Sequence, residues 1–123
     1  MFSVDFSELK GQIFDKVYKG NDCICFEQKG KTKYTIMHMQ DCCESVYLED
    51  VCGDLSDLEN AEITYSERMT NRGCPKGEYD GSSTWTFIKL ASVKGWVDIR
   101  FYGTSNGYYS ESADLYKAED EEM

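Results

Sequence analysis

The sequence predicts a small, mostly β protein (α+β by strict class): a curved antiparallel sheet or half-open barrel with one or two short helices. Three observations carry that expectation. Residues 95–102 alternate between apolar and polar side chains, with Val97, Ile99 and Phe101 set against Asp98, Arg100 and Tyr102. Extended segments rich in β-branched and aromatic residues recur along the chain, separated by short Gly, Asn and Asp turns. No long stretch carries the 3.6-residue apolar period of a helix.

Taken in order, Asp5 to Gly11 reads as a short helical turn, with Phe6 and Leu9 three apart and Gly11 as a stop. Residues 13–18 alternate as a strand, and Gly20-Asn21-Asp22 turns the chain. Residues 23–28 and 33–40 form a strand pair around Lys29-Gly30-Lys31-Thr32. On the second strand Tyr34, Ile36 and His38 share a face. Residues 46–51 give another short strand, and Asp54 caps a helical turn over 54–58. Residues 61–69 are extended, and 70–82 read as a long polar loop holding Gly73, Cys74 and the sole proline, Pro75. Strands over 83–91 and 95–102 follow, joined at Ser92-Val93-Lys94, with Trp85 and Phe87 on one face. Residues 103–107 form a turn, and 108–115 an edge strand.

At 123 residues, with 41% hydrophobic content, the chain is long enough for one core. Residues 1–118 are read as a single domain and 119–123 as an acidic tail. No run is apolar enough for a membrane helix, and the first residues lack the basic start and apolar run of a secretory signal. The cysteines are therefore expected in a reducing cytosol, where metal ligation or free thiols outrank disulfides.

The net charge is -10. This disfavours direct binding to nucleic acid and to anionic membranes, because those affinities rest on Lys and Arg meeting phosphate. A basic protein is the natural complement. Residues 41–60 hold seven acids and no base. Glu44, Glu49, Asp50, Asp54 and Asp57 are the candidate contact face, although a solvated acidic surface that aids solubility has the same composition.

The metal expectation rests on residue type. His38, Cys43, Cys52 and Cys74, with Cys42 as the substitute for Cys43, offer the thiolate and imidazole ligands that tetrahedral zinc prefers. Four protein ligands leave no open position, so such a zinc ion is structural. The competing reading is that the thiols pack as small hydrophobes. Cys23 and Cys25, two apart on a strand, fit that reading better than ligation. A catalytic Cys-His pair is disfavoured, because Asp41 and Glu44 flank Cys42 and Cys43 and oppose thiolate formation. The chain is therefore expected not to be an enzyme.

Several stretches carry a resemblance. His38-Met-Gln-Asp-Cys-Cys-Glu44, Val46-Tyr-Leu-Glu-Asp-Val51, Gly53-Asp-Leu-Ser-Asp-Leu58, Ser83-Thr-Trp-Thr-Phe87 and Ser105-Asn-Gly-Tyr-Tyr-Ser-Glu-Ser112 resemble a family of small phage and prophage proteins without an assigned activity. The chain is also similar in kind to phage anti-CRISPR proteins of type II systems, some of which bind zinc. That resemblance implies an inhibitor that binds Cas9 in the cytoplasm of an infected bacterium and keeps target DNA from being loaded or cut. The alternatives are a zinc-stabilised phage structural or accessory protein and, third, a thiol-dependent enzyme.

Overall fold

The computed structural model describes residues 1–72, 82–107 and 109–118. The described residues form nine strands, β1 (Phe2–Val4), β2 (Lys16–Lys19), β3 (Ile24–Gln28), β4 (Lys31–Met37), β5 (Ser45–Cys52), β6 (Tyr65–Arg72), β7 (Ser82–Ser92), β8 (Gly95–Ser105) and β9 (Asp114–Lys117). They make two antiparallel sheets, one of five strands in the order β1-β9-β4-β3-β2 and one of four in the order β5-β8-β7-β6. The mostly β expectation holds, in the form of two open sheets rather than one.

Alternation explains how the sheets meet. In β8 Val97, Ile99 and Phe101 are buried, and in β7 Ile88 and Leu90 join them. From the five-stranded sheet Phe26, Tyr34, Ile36 and Leu115 enter the same cluster, together with Phe14 from the segment before β2. Phe14 packs tilted on Phe26 at 5.1 Å and edge-on to Tyr34 at 5.8 Å. The buried Tyr34 hydroxyl is satisfied, donating to Glu8 at 2.7 Å and accepting from Gln12 at 2.7 Å.

Both expected helices are single 3-10 turns, Phe6–Leu9 and Leu55–Leu58. Asp5 caps the first by accepting from the Ser7 N–H at 2.8 Å, and Asp54 caps the second through Ser56 at 3.0 Å. Each turn buries only its apolar ends (Phe6 and Leu9, or Leu58), which leaves no second turn for a helix to propagate.

Three sequence expectations need correction. β6 runs to Arg72 and β7 starts at Ser82, so all of the described part of the 70–82 loop is strand. The rest of that loop, residues 73–81 with Cys74, lies outside the described residues. β8 continues through Gly103 to Ser105 rather than turning at 103. Gly103 belongs in the strand because a Cβ there would overlap the carbonyl of Glu111 and crowd Val46. Finally, the last strand is Asp114–Lys117, and it is not an edge: it lies between β4 and β1, with Leu115 opposite both Ile36 and Val4.

Candidate functional site

Two of the motifs that carry the sequence resemblance, His38–Glu44 and Ser105–Ser112, meet each other. β4 ends at Met37, and a short loop leads to β5 at Ser45. Within it the Glu44 side chain is fully buried. Its carboxylate accepts from the Asp41 N–H at 2.7 Å, the Cys42 N–H at 2.9 Å and His38 Nε2 at 2.6 Å. Gln40 closes the loop by donating to the Glu44 carbonyl at 2.6 Å. Burial pushes the Glu44 carboxyl up, but the Cys42 N–H, the His38 ring and the Asp41 N–H outweigh it and hold the group down at about 2. The other ring nitrogen, His38 Nδ1, donates to the Ser112 carbonyl at 3.0 Å.

Ser112 ends the second motif, which is built in the same way around Glu111. That buried carboxylate accepts from Thr84 Oγ1 at 2.9 Å and from the Ser105 hydroxyl. Burial raises its pKa, and the Ser105, Ser82 and Thr84 hydroxyls more than reverse the effect. Gly107, at φ 98°, lets the chain double back so that its N–H reaches Ser105 Oγ at 2.9 Å. Arg68 on β6 ties the end of the motif down through the Ser112 hydroxyl and the Ala113 carbonyl, each at 2.8 Å. Both motifs are thus loop clasps with a glutamate at the centre.

The opposite, solvent-facing side of the β5-β8-β7-β6 sheet is of another kind. Cross-strand register places Glu67, Lys89, Asp98 and Cys52 in one row and Met69, Phe87, Arg100 and Asp50 in the next. Trp96 and Tyr65 flank the first row with ring centroids 5.3 Å apart. Beyond the second, Trp85 stacks on Phe87 at 6.3 Å and meets Tyr102 at 4.6 Å. Met69 (59%), Trp96 (56%) and Phe87 (39%) are exposed. A depression of about 310 Å³ on this face is lined by Tyr65, Glu67, Met69, Phe87, Lys89 and Arg100, among others. Arg100 is clamped at its rim by Glu49 at 2.7 Å and Asp50 at 3.3 Å, with its guanidinium 5.6 Å from the Trp85 ring centroid. Lys89 sits 5.5 Å from the Trp96 ring centroid.

A family model described as a domain of unknown function (DUF7448) matches residues 7–115. The chain belongs to this family. No curated protein and no solved structure matches. The DUF7448 segment contains both clasps and every strand of the four-stranded sheet, and it leaves out β1.

Within this DUF7448 fold the expected zinc ligands are not gathered. Cys52 ends β5, at the far end of the strand from the His38–Cys43 loop, a span of roughly 20 Å at the usual strand rise. Both His38 nitrogens are engaged, and Cys42 and Cys43 are bonded to each other as a disulfide. Cys74 lies outside the described residues. No group of three or more His, Cys, Asp or Glu among the described residues is placed to hold a metal ion. The donor set His38, Cys43 and Cys52 therefore does not fit one zinc ion.

The expected acidic face also changes. Glu44 is spent inside its clasp and presents no charge outward. Asp54 caps its turn and stays exposed, and Asp57 is half-buried. Glu49 and Asp50 remain at the rim of the aromatic face, paired with Arg100. The Cys52 thiol is pushed up by the hydrogen bond to Asp50 and by that carboxylate's charge. Cys23 and Cys25 are half-buried, 3.8 Å apart, and burial first, then Cys25, pushes the Cys23 thiol up to about 11. Neither environment activates a thiolate.

The aromatic face was the residue set that reading along the chain missed. Trp85 and Phe87 announced a shared side, but Tyr65, Met69 and Trp96 join them only through the pairing of β6 and β8 with β7.

Proposed function

We propose that this protein is a non-catalytic binding module that docks a basic protein on the outer face of its β5-β8-β7-β6 sheet. The observation that carries this reading is the exposed apolar set Met69, Phe87 and Trp96 on one sheet face, where Met69 and Phe87 line a depression. Exposed aromatics and methionine in one patch are the side chains that interface centres favour. The net charge of -10 supports the choice of partner, since it draws a cationic protein from a distance before the aromatic contacts form. Glu67, Asp98 and Asp50 lie among the aromatics and supply acceptors for Lys and Arg of that partner.

The environment of the thiols supports a binding role over chemistry. His38 is held by Glu44 and Ser112 rather than facing a thiol as a base. Among the described residues no helix is long and apolar enough to cross a membrane.

The first partner to test is Cas9, whose channels for guide and target nucleic acid are basic. In this reading the protein is a phage-encoded inhibitor acting in the cytoplasm of the infected host, and it blocks target DNA by occupying a basic surface. The test is a Cas9 cleavage reaction in which purified protein is added before or after target loading. Inhibition only on early addition supports exclusion of DNA; full cleavage under both orders rejects Cas9 as the partner.

A further inference from the structure

Cys42 and Cys43 are neighbours in sequence, joined to each other, and both exposed at the tip of the β4–β5 loop. The backbone that carries them is held by groups other than sulfur. The Cys42 N–H donates to the Glu44 carboxylate at 2.9 Å, and the Cys42 carbonyl accepts from Gln40 Nε2 at 3.3 Å. The preceding N–H, of Asp41, is bound to the same carboxylate. Glu44 in turn is anchored through His38 to Ser112. None of these bonds involves sulfur, so each can form whether that link is open or closed.

We propose that the Cys42–Cys43 pair is a site of reversible thiol–disulfide exchange with low-molecular-weight disulfides such as glutathione disulfide. In the oxidising direction the thiolate of one cysteine attacks a sulfur of the small disulfide. A mixed disulfide forms, one small thiolate leaves, and the proton of the attacking thiol goes to solvent. The thiolate of the second cysteine then attacks the protein sulfur of the mixed disulfide, and a second small thiolate leaves. The protein dithiol has lost two protons and two electrons, and the small disulfide has become two thiols. Reduction runs through the same steps in reverse. The attack of the second cysteine is intramolecular, and both residues are open to solvent. Cys23 and Cys25, half-buried with Cys23 held as a thiol, are poorer partners for the same reagent.

The experiment equilibrates the full chain with glutathione buffers of graded ratio of thiol to disulfide, traps free thiols by alkylation, and reads the peptide that contains both cysteines by mass. The expected result is a single two-electron transition. Across it the doubly alkylated peptide gives way to one lighter by two hydrogens than the unalkylated dithiol, and the same transition appears in a variant with serine at Cys23, Cys25, Cys52 and Cys74. Amide exchange at Asp41 and Cys42 should stay slow on both sides of the transition. A pair that remains doubly alkylated at every ratio overturns the proposal, as does oxidation that links Cys42 or Cys43 to another cysteine. Loss of amide protection on reduction would contradict the preformed platform on which the proposal stands.

Discussion

His38 Nδ1 donates to the carbonyl oxygen of Ser112 at 3.0 Å, across 74 residues of chain, while its Nε2 donates to Glu44 at 2.6 Å. One imidazole therefore joins two loops that share no other sequence neighbourhood. His38→Ala is expected to lower the melting temperature and to speed amide exchange at Asp41 and Cys42 together, because Glu44 loses its anchor. Unaltered exchange at those two amides would reduce the His38 contact to an incidental one.

Acid should open the same loop in a defined window. The Glu44 pKa is lowered from its ordinary value of 4.5 to about 2 in the folded protein. A group with a depressed folded pKa contributes stability that is fully present above its unfolded value and is lost as pH falls through the folded one. The contribution from Glu44 is thus complete above 4.5 and disappears toward about 2. Thermal melts across that interval should fall more steeply for the native chain than for Glu44→Gln, and parallel curves would contradict the assignment.

Much of the fold was legible because it rests on local rules. The alternation of Val97, Ile99 and Phe101 announced β8, and Asp5 and Asp54 announced their caps. The Lys29-Gly30 turn shows why: both residues take positive φ, 54° and 78°, as a two-residue hairpin between Gln28 and Lys31 requires. What failed was long-range. That Leu115 lies between Ile36 and Val4 depends on β1 pairing at the far end of the chain, and no local pattern encodes that. The described cysteines are dispersed for a related reason. Their type suggested one metal centre, but the length of β5 separates Cys52 from Cys43. Glu44 looked like surface charge because its donors, two of them backbone N–H groups, have no signature in residue type.

The core makes a stability prediction. Phe14 is fully buried and touches Phe26 and Tyr34 from the first sheet. Phe14→Ala should cost about 3–5 kcal/mol, the usual penalty for emptying a buried aromatic position. Denaturant titration measures it, and a loss below about 1 kcal/mol would mean that Phe14 is not part of the shared core.

Metal dependence separates the geometry from the residue-type expectation. Cys52 is exposed and bonded only to Asp50 among the described residues. Cys52→Ser should melt as the native chain does, with or without a zinc chelator. A stoichiometric zinc ion in the purified protein, released by Cys52→Ser with a drop in melting temperature, would reinstate the site that the fold does not assemble.

The most direct measurement is the affinity of the protein for Cas9, compared between the native chain and the double variant Trp96→Ala/Phe87→Ala. Both side chains are exposed, and a thermal melt checks that the variant is folded before its affinity is read. The account predicts that the native chain binds and that the variant binds at least about tenfold more weakly, as expected when central aromatic anchors are removed. A native chain that does not bind, or a variant that binds equally well, would contradict it.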